Sequence, residues 1–123
     1  MTTKFLNRKV YYRDQVVFRE GDAGDCAYLI ERGEIQITKQ TADGDEIELG
    51  RLGPGAIFGE MAMIDMQPRM AKATALIDTT VTFVNHQMFE QKMQAADPFI
   101  HALLLILVRN VRAVSRQLTD NGH

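Results

Sequence analysis

Short hydrophobic segments separated by polar turns fill the first two thirds of the chain. Within them apolar and polar residues alternate, as in Ile35–Lys39, and β-branched and aromatic residues are frequent. Because successive side chains of a strand face opposite sides, this alternation predicts half-buried β-strands. We place two short strands within Val10–Phe18 and further strands at Ala27–Ile30, Ile35–Lys39, Ile47–Leu52, Lys72–Ile77 and Val81–Val84.

Glycine- and aspartate-rich turns separate these strands, since both residue types tolerate left-handed backbone. Many short strands at regular spacing favour a closed antiparallel barrel or jelly roll. We interpret Met1–Lys9 as an arm or a fragment of a helix and Asp78–Thr80 as a turn. The glycines that we assign to turns, without a ligand role, are Gly21, Gly24, Gly33 and Gly44.

The last third of the chain has helical spacing. Asn85 is suited to cap a helix over 86–95, and Asp97 with Pro98 predicts a second helix over 98–119. The apolar stripe of the second helix packs on the barrel, on a second copy of the chain, or on both. Its seam is Leu103, Leu107, Val111, Val114 and Leu118, widened by Leu104 and Val108.

The segment Phe58–Ala75 combines several residue types that bind anions. Phe58-Gly59-Glu60 follows a glycine-rich approach, a short Met-rich stretch has helical spacing, and Pro68-Arg69 leads into a strand of small residues. A helix N-terminus offers unpaired N–H groups, and arginine offers a fork of hydrogen-bond donors. A carboxylate accepts hydrogen bonds from hydroxyl groups. This set suits a small, anionic, hydroxylated ligand.

The same segment resembles the phosphate-binding cassette of the cyclic nucleotide-binding domain family. A second block, with the spacing E-G-D-x-G-D-x-x-Y-x-I-x-x-G-x-I from Glu20 to Ile35, resembles that family as well. The resemblance implies one domain over 1–123: an eight-stranded antiparallel β-roll over about 10–84, followed by two helices. The cassette positions that match are Phe58, Gly59, Glu60, Ala62, Met63, Arg69 and Ala71.

The resemblance also implies non-catalytic binding of a cyclic nucleotide. The cyclic phosphate is expected to bind Arg69 and backbone amides near Ala62 and Ala71. The ribose 2′-hydroxyl is expected to bind Glu60 and the Gly59 backbone. The base is expected, in syn or anti form, under the last helix, whose closure over the ligand is the switch. The lid candidates are Leu103, Leu104 and Leu107; the ligand-binding candidates are Phe58, Gly59, Glu60, Met61, Ala62, Arg69, Met70 and Ala71.

Met70 departs from the family pattern, which has Ser, Thr or Ala after the arginine. A Thr here contacts the phosphate and the guanine amino group in relatives that prefer cGMP, and methionine has no hydroxyl to do so. The lost hydrogen bond is worth about 0.5–1.5 kcal/mol. We therefore expect cAMP to be favoured over cGMP. Met70 also favours the alternative of a ligand-independent dimerisation module with a degenerate nucleotide site.

Composition bears on the remaining function classes. A net charge of −2 gives no pull toward nucleic acid or anionic membranes, and a single cysteine, Cys26, excludes an internal disulfide. Met1–Val10 does not resemble a signal peptide, and the apolar run Ala102–Val108 is too short to span a bilayer. We expect a cytoplasmic regulatory domain for signal transduction, without membrane contact.

Partners and metal chemistry follow from the helices and the histidines. We expect a homodimer through the last helix and an effector protein of unknown identity. We do not expect direct DNA binding, because the chain ends at His123 without a helix-turn-helix. We interpret Arg109, Arg112 and Arg116 as a solvated face or a partner contact. Because His86, His101 and His123 are scattered, and no nucleophile–base pair is evident, we predict no metal, no cofactor and no catalysis.

Overall fold

The structure, a computed structural model, describes residues 7–120, with side chains described for 7–117. Eight strands and three helices make up this part of the chain. In chain order they are β1 (Asn7–Tyr11), β2 (Val16–Phe18), β3 (Cys26–Arg32), β4 (Ile35–Gln40), β5 (Glu46–Leu52), β6 (Ile57–Phe58), α1 (Glu60–Asp65), β7 (Lys72–Ala75), β8 (Thr79–Asn85), α2 (His86–Gln94) and α3 (Pro98–Asp120).

The strands form two four-stranded antiparallel sheets, with the orders β1-β8-β3-β6 and β2-β7-β4-β5. Apolar side chains from both sheets meet between them and form the main core, in which Ile30, Ile35 and Val81 are at most 1% exposed. The small residues Ala73 and Ala75 of β7 are fully buried in the same core. The predicted eight-stranded β-roll followed by helices is confirmed.

Several boundaries differ from the sequence prediction because pairing across the sheet decides them. Asn7–Lys9, predicted as part of an arm or helix fragment, belong to β1 and pair with β8 in the register Asn7↔Phe83. Thr79 and Thr80, predicted in a turn, are the first residues of β8, and β7 ends at Ala75. The two-residue strand β6 was not predicted; it pairs with β3 in the register Tyr28↔Phe58.

The helical boundaries follow their capping residues. The side chain of Asn85 accepts a hydrogen bond from the Met88 amide at 2.9 Å, as predicted, and α2 begins directly after it. The side chain of Asp97 accepts from the Phe99 amide at 2.9 Å at the start of α3. These bonds satisfy amide groups that a helix start leaves without intrahelical partners.

A second core joins the helices to the roll. Met63 and Ile64 of α1, Phe89 of α2 and Val108 of α3 pack against Ala27 of β3, and each is 9% exposed or less. α3 therefore rests on the roll through Val108 and the partly buried Leu104 and Leu105.

The opposite face of α3 is apolar and exposed. Of the predicted seam, Leu103, Leu107, Val111 and Val114 are 38–59% exposed, and Leu118 lies outside the residues with described side chains. By length and composition alone, Pro98–Gln117 is a stretch that could cross a membrane, and it is longer than the run Ala102–Val108 considered from the sequence. Among the described side chains, this apolar face of α3 is therefore not covered by the rest of the chain.

Candidate ligand-binding site

A cavity of about 270 Å³ opens between the two sheets, α1 and α3. All eight ligand-binding residues predicted from the sequence line it, so the fold brings the whole candidate set to one place. The strands complete its wall with apolar side chains and α3 adds an arginine: these further lining residues are Phe18, Ile37, Leu52, Ile57 and Arg112.

Arg69 is the central charged group of this cavity, and it is only 5% exposed. Its Nη1 donates to the Gly59 carbonyl oxygen at 2.9 Å, and its Cζ lies 4.1 Å from the centroid of the Phe18 ring. Its Nε is buried without a hydrogen-bond partner. Among the described residues no carboxylate forms an ion pair with it. A buried cation without a carboxylate is costly, which indicates an anion-binding role.

Two titratable side chains near Arg69 stay neutral at physiological pH. Burial raises the pKa of Tyr28 to about 12, against the lowering effect of Arg69. Burial, followed by the hydrogen bond and charge of Asp25, raises the pKa of the Cys26 thiol. Because neither the phenol nor the thiol ionises at neutral pH, neither neutralises the guanidinium.

Two glycines make room for the Arg69 side chain. A methyl group at Gly24 would lie 2.6 Å from Nε of Arg69, and one at Gly59 would lie 2.8 Å from its Nη1. Gly59 also has φ of +75°, which favours glycine, directly before α1. The interpretation of Gly24 as a plain turn residue missed this contact, because sequence spacing does not show that the β2–β3 loop packs on the cassette.

The α1 segment places Glu60 in the lining of the same cavity. The positive φ of Gly59 turns the chain from β6 into α1, and the buried side chains of Ala62, Met63 and Ile64 fix the short helix on the roll. Glu60 is then in the first turn, where a carboxylate complements the helix dipole. Glu60 and Arg69 therefore both line the cavity, and no ion pair joins them.

The lid candidates lie away from the cavity wall, and their closure over a ligand stays a prediction. Leu103, Leu104 and Leu107 do not line the cavity: Leu104 packs in the second core, and Leu103 and Leu107 are exposed. The α3 residue that lines it is Arg112, one or more turns further along the helix. Sequence periodicity shows which positions share a face, but not which face the helix turns toward the cavity.

Arg112 connects α3 to the cassette and is not simply a solvated residue, which corrects the sequence interpretation. Its Nε and Nη2 donate to both carboxylate oxygens of Asp65, at 2.7 and 3.1 Å, and its Nη1 donates to the Pro68 carbonyl at 3.0 Å. The two charged side chains are 12% and 14% exposed. Such a two-pronged, partly desolvated pair holds the helix at a fixed place beside the cavity.

We expect Arg112→Met to lower the free energy of unfolding by about 1–2 kcal/mol, between the effects of exposed and fully buried ion pairs. Urea unfolding of the ligand-free protein measures this. The matched control is Arg109→Met, one turn away on the same helix and exposed, which should change stability by less than about 0.5 kcal/mol. Equal effects of the two substitutions would contradict a connecting role for Arg112.

Two of the histidines are closer together than the sequence suggested. Nε2 of His86 and Nε2 of His101 lie 3.7 and 3.9 Å from the carboxylate oxygens of Glu90. Nδ1 of His86 is also 2.6 Å from the Met63 carbonyl oxygen. Within residues 7–117 no three His, Cys, Asp or Glu side chains are placed to hold a metal ion. That the protein uses no metal or cofactor stays a prediction.

Sequence comparisons match this chain to a family of domains and to two longer regulators. A sequence profile described as cyclic nucleotide-binding domain matches residues 8–96. The Cyclic AMP receptor protein of Thermus thermophilus is 28% identical over 118 residues, which cover 96% of this chain and 55% of that protein. The CRP-like cAMP-activated global transcriptional regulator of Mycobacterium tuberculosis is 30% identical over 118 residues, 96% of this chain and 53% of the regulator.

Solved structures give the same result. The cAMP-bound form of EAL enzyme Bd1971 is 41% identical with a TM-score of 0.80, covering 90% of this chain and 29% of that one. Its cGMP-bound form is 40% identical with a TM-score of 0.79, covering 90% and 30%. The catabolite activator protein of Thermus thermophilus is 29% identical with a TM-score of 0.75, covering 94% and 54%.

Fold and site together define a class of β-roll domains that enclose a buried arginine beside a short helix. The chain belongs to the cyclic nucleotide-binding domain family. It spans about half the length of the two curated relatives that it matches.

Proposed function

We propose that this domain binds a cyclic nucleotide reversibly and acts as a non-catalytic sensor. The observation that carries the proposal is Arg69, a buried guanidinium at the cavity with an unpartnered Nε and no carboxylate partner among the described residues. A cyclic phosphate carries one negative charge and supplies the missing acceptor. The cavity of about 270 Å³ is close to the lower end of the ~300–1,000 Å³ typical of small-molecule sites.

The lining residues suggest how the nucleotide is held. Arg69, with the amides of Ala62 and Ala71, binds the phosphate, and the Glu60 carboxylate accepts from the ribose 2′-hydroxyl. In the structure the Gly59 carbonyl already accepts from Arg69, so Gly59 serves the arginine as well as the sugar. The base lies along Ile37, Leu52 and Met70, with Arg112 at the α3 side of the cavity.

We further propose that cAMP is preferred over cGMP, because Met70 offers the guanine amino group no hydroxyl. EAL enzyme Bd1971 has been solved with either nucleotide, which supports a cavity that admits both. The soft thioether of Met70 packs on a purine of either kind. The preference is therefore modest: one hydrogen bond of about 0.5–1.5 kcal/mol corresponds to about two- to ten-fold in affinity.

Calorimetric titration with cAMP and with cGMP tests this proposal. We expect micromolar or tighter binding of cAMP and weaker binding of cGMP. The absence of heat with either nucleotide at millimolar concentration would contradict the sensor function. Tighter binding of cGMP would contradict the preference alone.

A ligand-independent dimerisation module is the second candidate, favoured by the exposed apolar face of α3. Phe99 and Val114 are 66% and 59% exposed, and the seam residues lie on the same face. We propose that this face joins two copies of the chain under either candidate function. For the sensor function we also propose that a partner protein receives the signal; neither DNA nor a membrane is required, and the cytoplasm is the proposed location. Sedimentation with and without cAMP discriminates, since a pure dimerisation module forms the same dimer in both.

A further inference from the structure

A buried lysine lies directly behind the phosphate-binding segment. Lys39, near the end of β4, is 7% exposed, and a register shift between Ile37 and Thr38 interrupts the β4–β5 ladder just before it. Its Nζ donates to the Met70 carbonyl oxygen at 2.7 Å and to Oε2 of Glu20 at 3.2 Å. Since a buried ammonium is costly unless paired, these two contacts fix where the charge sits.

The backbone around Arg69 is held from the same side. The Arg69 carbonyl accepts from the Gly21 amide at 2.7 Å, and the Arg69 amide donates to the Asp22 carbonyl at 2.9 Å. The N–H that follows a carbonyl in a planar trans peptide points the opposite way from it. With the Arg69 and Met70 carbonyls engaged by Gly21 and Lys39, the amides of Met70 and Ala71 are turned away from these contacts.

We propose that Lys39 is a positioning residue for the phosphate; this rests on the proposed cyclic nucleotide binding. Its ammonium holds the Met70–Ala71 peptide with the Ala71 amide toward the cavity, which both residues line. The same charge polarises the peptide, so that the amide becomes a stronger donor to an anion. Because Met70 carries no hydroxyl, this backbone donor matters more in this chain.

The test compares cAMP binding of the wild type with that of Lys39→Met, which keeps a long apolar stem but removes the charge. We expect about ten-fold weaker binding, the effect of one charge-assisted hydrogen bond. In the wild type, cAMP should move the Ala71 amide proton resonance downfield, and this shift should shrink in Lys39→Met. Lys39→Arg, which keeps a charged donor, should recover part of both effects.

A second set of variants separates the loss of the Lys39 contact with the Met70 carbonyl from the effect of an unpaired Glu20 carboxylate. Lys39→Met also leaves the Glu20 carboxylate without its ammonium partner, so we include Glu20→Gln alone and together with Lys39→Met. Glu20→Gln alone should bind cAMP within about two-fold of the wild type, and the double variant should stay as weak as Lys39→Met. Full recovery in the double variant would overturn the proposal, because the loss would then come from the unpaired carboxylate.

Two further results separate the inference from the function it rests on. If the wild type binds neither cAMP nor cGMP, the proposed function fails and Lys39 has no phosphate to position. If the wild type binds cAMP but its Ala71 amide resonance does not move, or Lys39→Met binds equally well, the inference about Lys39 fails alone. The response of the wild-type Ala71 amide resonance to cAMP tests the inference about Lys39 even if Lys39→Met does not fold.

Discussion

Arg69→Ala is expected to weaken cAMP binding by about a hundred-fold, since two charge-assisted hydrogen bonds to the phosphate are lost. The same substitution should leave the ligand-free protein about as stable as the wild type. The free energy recovered by removing a buried, unpaired charge offsets the loss of the contacts with Phe18 and Gly59. Calorimetry measures the first effect and urea unfolding without nucleotide the second.

The contrast between these two readouts distinguishes a ligand site from a structural one. Thermal unfolding of the wild type should shift upward as cAMP is added, because only the folded state binds it, and in Arg69→Ala the same shift should require about a hundred-fold more cAMP. Arg69→Lys keeps the charge but loses the planar fork, and we expect an intermediate affinity. A large loss of stability in Arg69→Ala, with cAMP affinity unchanged, would assign the arginine to the fold.

The parts of the fold that the sequence predicted are those with local causes. Each of these parts depends on residues only a few positions apart in the chain. They are the alternation in Ile35–Lys39, the turns at glycines, the helix cap at Asn85 and the helix start at Asp97-Pro98. The ligand-binding set lies almost entirely within one segment, 58–71, so a match to a family motif could locate it. The structure brings that set to one cavity.

The features that the sequence did not predict depend on contacts between distant segments. Asn7–Lys9 become a strand through β8, and Arg112 reaches Asp65 across 47 positions. Lys39 reaches Met70 across 31 positions, although nothing in its neighbourhood marks it as buried. The three lid candidates lie outside the cavity lining for the same reason, since the rotation of α3 depends on its packing through Val108. Long-range packing, which periodicity does not encode, decides each of these cases.

The second large effect on cAMP affinity comes from Gly24, which packs against the Arg69 guanidinium. Gly24→Ala is expected to cause most of the hundred-fold loss in cAMP affinity that Arg69→Ala causes, although residue 24 need not touch the ligand. Its new methyl group would lie 2.6–2.9 Å from Nε, Nη2 and Cζ of Arg69, so the guanidinium has to leave its place against Phe18. A displaced arginine loses the alignment that phosphate binding requires.

Gly53→Ala is the matched control, because a methyl group there meets no atom within 4 Å and the residue is not in the left-handed region. It should leave affinity unchanged and should, if anything, stabilise the fold slightly. In an Arg69→Ala background, Gly24→Ala should no longer affect stability, since the group that it displaces is gone. If Gly24→Ala destabilises both backgrounds equally and leaves the cAMP affinity of the Arg69-containing protein unchanged, the residue belongs to the turn as the sequence indicated, and the close approach to Arg69 has no functional consequence.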